Sequence, residues 1–498
     1  MNSDSKEKLD AVFDTEKDAG SVVEKEACDL QLRNRWTRKL LSWGVEERGI
    51  LPVPLEDRTD TQYSKVFFIW LSANFNILSF SAGTLGPLLY GLSLRESCLV
   101  ILFFNLLCNI PPAYLSTWGP KLGLRQLCQA RYSFGYFGVI IMSCFNMATG
   151  LGYCILNSIL GGQTLSSITN GSLSWSVGIV IIAVVSLLIS FGGYKLLAWY
   201  ERLAWIPVLV SYVVALGLGG KHLSNPAPAE PATASTVLSF ASIIAGFVIT
   251  YAPICSDYTI YYTPDVASWK IFISAYLGFN VPVVMLCFGA AVAVALPYVP
   301  AWNDGYNNGN VGGLLEAMLR PAGNFGKFLT VLLALSVTAN LAPTFYSFCM
   351  SFQVFIPPAA AVPRYMFSLL AVAIVIPLSI AGQHKFYDTL SNFLGIIGYW
   401  ASAFCAVVLI EHFVIRRSDF SSYNLRYWDD YRRLPPGFAA VCACLLSVGL
   451  IVPSMDQVWF VGPIAQRTGD IGFEMAFTVT GLCYVPLRYL ELRFRKMV

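Results

Sequence analysis

Twelve long apolar segments constrain the possible folds of this chain more than any other feature of its sequence. About 20 consecutive apolar residues are enough for a helix to cross a lipid bilayer. The segments span residues 66–90, 96–116, 135–161, 174–194, 200–219, 237–262, 268–298, 326–354, 366–382, 389–412, 437–454 and 471–490. Hydrophobic residues make up 56% of the 498 residues and charged residues only 13%, whereas soluble domains are nearer half apolar and a quarter charged. The sequence therefore predicts an all-α integral membrane protein with twelve transmembrane helices, and it nearly excludes a soluble enzyme.

The distribution of positive charge predicts how these helices are oriented. The loops on the same side as the N-terminus hold twelve Lys and Arg residues, against six in the loops on the other side. Cytoplasmic loops carry such an excess, so both termini are predicted to be cytosolic. The net charge of +3 is too close to neutral to indicate a nucleic-acid-binding protein.

The polar regions divide the chain into predicted parts. Residues 1–62 carry mixed charges without an apolar core after Met1, which predicts a cytosolic N-terminal tail rather than a cleaved signal peptide. The other predicted parts are a ten-helix core, a cytosolic loop, two additional helices and a cytosolic C-terminal tail, at residues 63–412, 413–436, 437–490 and 491–498.

Two of the apolar segments contain residues that interrupt helices. In the first, the run Ser79–Thr84 leads to Gly86–Pro87; in the sixth, the run Tyr251–Asp257 contains a proline and ends in a carboxylate. A broken membrane helix is tolerated where protein or a polar cavity replaces the lost backbone bonds. The two breaks lie five segments apart, which is the spacing that two inverted five-helix repeats would produce. The sequence predicts these repeats at residues 63–219 and 237–412. A substrate site is then expected near the breaks. The alternative is that both breaks are ordinary proline and glycine kinks, which are common in membrane helices and bind no substrate.

Aromatic and amide side chains predict the chemistry of this site. Tyr153 and Asn157 are four residues apart and share one helical face, and Asn340 is followed closely by Pro343. An aromatic face can stack on a flat heterocycle while a carboxamide offers donors and acceptors to its edge. The alternative is that the asparagines only join neighbouring helices.

Few ionisable residues fall inside the apolar segments, and each is a candidate for function. Asp257 is the most deeply placed, whereas Glu201 beside Arg202 is either a coupling group or part of an ion pair at the inner surface. The thirteen cysteines are scattered and the three histidines are far apart, so neither a metal site nor a cofactor is predicted. The sequon Asn170–Ser172 predicts glycosylation on the outer face, unless the match arises by chance.

Several short motifs occur in the order found in one transporter family. They are Gly119–Gln126 continuing through Arg131–Gly135, Asn157–Gln163, Gly193–Tyr194, Tyr200–Arg202, Ser256–Thr259 and Ala339–Pro343 with Tyr346–Ser347. Together they resemble the motifs of fungal purine–cytosine permeases, members of the nucleobase:cation symporter-1 family. The resemblance covers roughly residues 60 to 490.

The resemblance implies a LeuT-like fold, in which twelve helices include a 5+5 inverted repeat with broken helices 1 and 6. It also implies uptake of a nucleobase or similar heterocycle by alternating access, together with a cation that is usually a proton, across the plasma membrane. By position, Ser79 matches a substrate-contacting serine, Asn157 and Asn340 match the asparagines of the third and eighth helices, and Glu201 matches a glutamate tied to transport.

The chain departs from the family pattern at the expected site. Tyr153 and Tyr251 stand where family members commonly have tryptophans that sandwich the base, and Leu341 and Thr344 replace asparagines. Because of these changes, a transporter of vitamin B6 (pyridoxine) remains an alternative. The resemblance allows it, since one branch of the family transports vitamins of this type. A receptor that binds without transporting is a further alternative, and no feature predicts an oligomeric state.

The same comparison bears on the coupling ion. Sodium-coupled bacterial relatives have Ser and Thr where this chain has Ala334 and Leu335. Hydroxyl oxygens suit a hard cation and methyl groups do not. The sequence therefore predicts proton coupling, with Asp257 or Glu201 as the proton-binding group.

Overall fold

The computed structural model of the protein describes residues 49–169, 171–191, 193–223, 231–362 and 364–495, which are mostly helical. The helices are α1 (Ser64–Asn74), α2 (Ile77–Tyr90), α3 (Leu94–Cys108), α4 (Ile110–Leu115), α5 (Trp118–Leu122), α6 (Gln126–Ile168), α7 (Trp175–Phe191), α8 (Gly193–Gly219), α9 (Ala234–Ile249), α10 (Ser268–Asn280), α11 (Val283–Ala295), α12 (Pro300–Leu319), α13 (Gly323–Ser336), α14 (Thr338–Phe355), α15 (Arg364–Gly382), α16 (Phe386–Ile410), α17 (Phe438–Ser454), α18 (Ala465–Thr468) and α19 (Gly472–Arg495). The strands β1 (Asp456–Gln457) and β2 (Phe460–Val461) form an antiparallel pair.

Each of the twelve apolar segments overlaps at least one of these helices. Within the described part of the chain, eight helices are long and apolar enough to cross a membrane, or up to nine when the bent pair α1–α2 counts as one span. Helix α12 lies outside every predicted segment because its first half is rich in Asn and Gly. The helix bends at Gly309 and Asn310. Apolarity alone therefore missed this helix.

The first apolar segment is broken between α1 and α2, which meet at 55°. Asn76 has an extended backbone and its side chain accepts hydrogen bonds from the Leu78 and Ser79 amides at 2.9 and 3.0 Å, which starts a new helix. The predicted position of the break, at Ser79–Pro87, is therefore wrong: these residues lie inside α2. The capping asparagine, rather than the proline, interrupts the segment.

The sixth apolar segment is broken where the sequence predicted. Helix α9 ends at Ile249, and the 3-10 helix Ala252–Tyr258 follows after Tyr251. The hydroxyl of Tyr258 donates to the backbone oxygen of Pro343 at 2.9 Å. The continuation of the sixth segment is thereby held against α14.

Glycines allow α2 and α11 to pack at backbone distance. A Cβ atom at Gly289 would lie 2.0 Å from the Phe80 backbone oxygen, and one at Gly83 would lie 1.9 Å from that of Leu286. Small residues at helix contacts are a common means of association in membranes, where apolar burial gives little driving force. These two glycines therefore fix α2 beside α11.

We expect Gly289→Ala to destabilise the protein, because the added methyl group must push α11 away from α2. The cost expected for such overpacking is about 1–3 kcal/mol, measured as a lower midpoint of thermal unfolding of the detergent-solubilised protein. Gly449→Ala in α17 is the matched control, since a Cβ there meets no atom within 4 Å. Equal midpoints for the two variants would contradict this account of the α2–α11 contact.

The part of the predicted N-terminal tail that the structure describes, residues 49–62, packs against the helices. The Val53 amide donates to the Gly123 backbone oxygen at 2.9 Å. Arg58 is 2% exposed and donates to the backbone oxygens of Val53 and Pro120 at 2.7 and 3.4 Å. The folded part of the chain therefore includes residues before 63, which their polar composition did not indicate.

The C-terminal helices α17 and α19 are tied to α9 and α16 by Asp470. Its carboxylate accepts hydrogen bonds from Tyr399 of α16, from Ser242 of α9 at 3.3 Å and from Gln457 at 3.1 Å. Burial raises the pKa of the Asp470 carboxyl group above its ordinary value. This network fixes the two additional helices to the core.

Candidate functional site

A small cavity lies beside the break in the sixth segment. It is bounded by α6, by α14 and by the residues that follow α9. Its lining residues are Asn146, Thr149, Gly150, Tyr153, Thr250, Tyr251, Ile254, Asn340, Thr344, Ser347 and Phe348. Three of the five predicted substrate-binding residues, Tyr153, Tyr251 and Asn340, are among them.

The rings of Tyr153 and Tyr251 face each other across this cavity. Their planes are within 14° of parallel and their centroids are 6.4 Å apart. Two successive van der Waals contacts between carbon atoms span roughly 7 Å. A small outward shift of either ring would therefore admit a planar heterocycle between them.

The carboxamide of Asn340 links three structural elements at the edge of the tyrosine pair. Its Oδ1 accepts from Asn157 Nδ2 at 3.0 Å, and its Nδ2 donates to the Ala73 backbone oxygen at 2.9 Å and to Tyr251 Oη at 3.3 Å. Asn157 does not line the cavity but also donates to the Tyr153 backbone oxygen. Asn157 therefore orients Asn340, and Asn340 presents its amide edge beside the rings.

The tyrosine hydroxyls are held by neighbouring protein groups. Tyr251 donates to Asn74 Oδ1 at 2.8 Å, and Tyr153 donates to the Phe247 backbone oxygen at 3.0 Å. Asn74, at the end of α1, was missed by the sequence analysis. Two asparagines flanking Phe75 within an apolar segment were the signal for it, since such polar residues are costly in a membrane unless paired.

Two other predicted residues lie near the cavity without lining it. The hydroxyl of Ser79 donates to the Asn74 backbone oxygen, and its amide is capped by Asn76. Pro343 lies inside α14, where its backbone oxygen accepts from Tyr258. In this structure both residues hold the broken segments in place.

Asp257 is placed at the start of α6. Its Oδ1 accepts from the Gln126 amide at 2.9 Å, and Arg125 donates to the Asp257 backbone oxygen at 2.8 Å. A carboxylate at a helix N-terminus satisfies an unpaired amide and interacts favourably with the helix dipole. The geometry gives Asp257 a capping role in α6.

Glu201 contrasts with Asp257. Its side chain is fully buried in α8, and neither carboxyl oxygen has a hydrogen-bond partner among the described residues. Its backbone oxygen accepts a hydrogen bond from Ser72 on α1. An unpaired ionised carboxylate in such a place is very costly, whereas a protonated carboxyl group costs far less.

Two further predictions concern sites of other kinds. The glycosylation candidate Asn170 lies outside the described residues. No group of three or more His, Cys, Asp or Glu residues that could hold a metal ion occurs in the part of the chain that the structure describes.

Comparisons with known proteins agree on one family. The profile of a family described as permeases for cytosine/purines, uracil, thiamine and allantoin matches residues 52–474. The chain is 36% identical over 457 residues to the purine-cytosine permease fcyB of Emericella nidulans, an alignment that covers 90% of this chain and 89% of that protein. It is 30% identical over 522 residues to the vitamin B6 transporter TPN1 of Saccharomyces cerevisiae, with 93% and 90% of the two chains covered.

Solved structures resemble the fold as well. A nucleobase-cation-symport-1 family transporter, Mhp1, in a closed conformation with bromovinylhydantoin bound, superposes with a TM-score of 0.66 at 16% identity. The match covers 87% of this chain and 93% of Mhp1. At this level of identity the likeness concerns the fold.

Proposed function

Because the chain belongs to the family of permeases for cytosine/purines, uracil, thiamine and allantoin, we propose that it imports a nucleobase or a similar flat, polar heterocycle together with a proton. It is an integral membrane protein of a transporter family. The observation that carries the proposal is the pair of near-parallel tyrosines, Tyr153 and Tyr251, with the Asn340 amide at their edge. The rings stack on the heterocycle, and the second lone pair of the Asn340 amide oxygen accepts a hydrogen bond from its polar edge.

The proposal includes the architecture that this mechanism needs. Twelve spans, ten of them in two inverted repeats, alternately open the cavity to either side of the membrane. The breaks at Phe75–Asn76 and at Tyr251 support this arrangement, since each begins a new helical piece beside the cavity. Broken helices near the bilayer midplane are where such transporters bind their substrates.

We assign the coupling proton to Glu201. A group that carries a proton across the membrane must be stable when neutral in at least one state. The buried carboxyl group of Glu201, which has no hydrogen-bond partner among the described residues, meets this condition. Asp257 is instead engaged with the Gln126 amide. Ser72 joins Glu201 to α1, whose last residue, Asn74, bonds Tyr251. Because Ser72 bonds the Glu201 backbone rather than its carboxyl group, protonation of Glu201 would act on α1 through a shift of α8, which this bond passes to α1 beside the substrate.

We expect Asp257→Asn to retain proton-dependent uptake, because the asparagine oxygen can still accept from the Gln126 amide. Asp257→Ala removes this acceptor and should lower stability by about 1 kcal/mol, the usual cost of a lost helix cap. The measurements are uptake with and without a protonophore and the thermal unfolding midpoint of each variant. If uptake by Asp257→Asn no longer responds to the protonophore, Asp257 rather than Glu201 carries the coupling proton.

Sodium is a less suitable coupling ion for this chain. Ala334 and Leu335 offer no side-chain oxygen to a hard cation, whereas Ser336 is engaged with the Ile77 amide at 3.2 Å. We further propose a plasma-membrane location with cytosolic termini, which places Asn170 outside, where its sequon can be glycosylated.

A vitamin B6-type substrate is the second candidate. It is favoured by the tyrosines at positions 153 and 251, which leave a cavity of different shape from one lined by tryptophans, and by the similarity to the vitamin B6 transporter. A pyridine ring stacks between the tyrosines as a nucleobase does.

Uptake in a yeast strain that lacks its own purine–cytosine permeases and its own vitamin B6 transporter tests the proposed function, with the same strain without this protein as the background. Radiolabelled cytosine, hypoxanthine and pyridoxine are offered separately, each with and without a protonophore. We expect protonophore-sensitive accumulation of at least one of them. If none accumulates although the protein reaches the cell surface, the proposed substrate class is wrong. Binding without uptake would instead support the receptor alternative.

A further inference from the structure

The cavity has a second polar end, away from the tyrosine pair. Ser347 lies seven residues after Asn340 on α14, and Asn146 lies seven residues before Tyr153 on α6. Both line the cavity. At 1.5 Å per residue this end is displaced by about 10 Å along the helices. A single heterocyclic ring held at Asn340 cannot also reach it.

The two helices are in contact at this end as well. Asn146 Nδ2 donates to Ser351 Oγ at 2.8 Å, and the hydroxyl of Ser351 donates to the Ser347 backbone oxygen at 3.1 Å. Because Ser351 uses its hydrogen in this way, it can only accept from Asn146. The amide orientation of Asn146 is thereby fixed, with its oxygen Oδ1 turned away from Ser351.

The hydrogen-bonding capacity of the two ends differs. At the tyrosine end, both hydroxyls and both amide hydrogens of Asn340 are already used by protein groups. At the second end, Ser347 is 3% exposed and its Oγ has no hydrogen-bond partner among the described residues. Within the same described ranges, no hydrogen bond to Asn146 Oδ1 occurs. A buried polar group without a partner is costly, so this end is suited to a ligand that completes these bonds.

Resting on the proposed function, we infer that the substrate is a heterocycle with a hydroxyl-bearing arm, and that Ser347 and Asn146 form the subsite for this arm. A hydroxyl group accepts from the Ser347 hydroxyl and donates to Asn146 Oδ1, so it satisfies both groups at once. The ring lies between Tyr153 and Tyr251 while the arm extends along α6 and α14. A bare base fills only the first end and leaves Ser347 unpaired.

Calorimetric titration of the detergent-solubilised full chain tests this subsite with two matched pairs of ligands. The pairs are 5-methylcytosine with 5-hydroxymethylcytosine, and 4-deoxypyridoxine with pyridoxine. We expect the hydroxylated member of at least one pair to bind more tightly, by about two- to tenfold, the range for one neutral hydrogen bond. Ser347→Ala should remove this preference without changing the affinity for the methyl member, and Asn146→Ala should reduce it.

The control is Ser454→Ala in α17, which removes another buried hydroxyl without a described partner at a distance from the cavity, and which should leave the preference unchanged. If the wild-type protein binds both members of each pair equally, or if Ser347→Ala keeps the preference, the subsite is wrong although the proposed function stands. If no ligand of either pair binds, the proposed function fails and the subsite fails with it.

Discussion

Replacing Asn340 with alanine is expected to abolish substrate binding and uptake while the protein still reaches the cell surface. The carboxamide accepts from Asn157, donates to the Ala73 backbone oxygen and donates to Tyr251 Oη. Its removal takes away the amide edge that the heterocycle needs. It also frees the Tyr251 ring, which the Asn340 and Asn74 bonds hold nearly parallel to that of Tyr153.

The size of this effect follows from how many contacts are lost together. One substrate hydrogen bond lost with its buried partner unpaired costs about 1–3 kcal/mol, and misplacement of a stacking ring costs about 0.5–1.5 kcal/mol more. We therefore expect a roughly ten- to thousandfold loss of affinity for the transported heterocycle, measured by competition for uptake and by calorimetry on the purified protein.

A matched control separates this effect from general destabilisation. Asn105 in α3 is also buried, but within the described residues its amide donates to the Ile101 backbone oxygen alone, at 2.7 Å, away from the cavity. Asn105→Ala should keep uptake and affinity within about twofold of the wild-type values, as expected for a bond of modest net worth. Normal uptake by Asn340→Ala would show that the substrate binds elsewhere.

Replacing Glu201 with glutamine is expected to separate transport from the proton gradient. Glutamine has the shape of a protonated glutamate and carries no titratable group, so it fits the buried position but cannot release a proton. The wild-type protein should accumulate substrate roughly tens-fold per 100 mV of membrane potential, since one charge gains about 2.3 kcal/mol. The variant should only equilibrate the substrate, with or without a protonophore.

Glu316→Gln serves as the control for this substitution. Glu316 in α12 forms an ion pair with Arg320 at 2.6 Å, and pairs that remain partly exposed contribute little to stability. Its glutamine variant should keep protonophore-sensitive accumulation. If Glu201→Gln still accumulates substrate above equilibrium and a protonophore abolishes the gradient, Glu201 does not carry the coupling proton.

The sequence predicted much of the fold because membrane helices satisfy their backbone internally and must be apolar where they face lipid. The twelve segments all overlap helices, and the family that the motifs indicated is confirmed by the profile match over residues 52–474. Helix α12 was missed because its Asn- and Gly-rich sequence has no apolar signal. The first break was misplaced because the prediction rested on the small residues and the proline of the run Ser79–Pro87, whereas Asn76 caps the new helix.

The site was only partly predictable for a related reason. Residue types indicated Tyr153, Tyr251 and Asn340, which the structure brings to one cavity. The roles of Asp257 and Glu201 depend instead on what surrounds each carboxyl group. Gln126 is near Asp257 only in the folded chain, and the burial of Glu201 without a described partner for its carboxyl group arises only when the helices pack together. No local pattern carries that information.

Uptake by the purified protein in sodium-free liposomes tests the central claim most directly. The liposomes are made at neutral pH and diluted into acidic medium that contains the radiolabelled heterocycle accumulated by the yeast strain. The account predicts a transient internal concentration above the external one, which a protonophore abolishes and which Glu201→Gln does not produce. Simple equilibration by the wild-type protein, unchanged by the pH gradient, would contradict it.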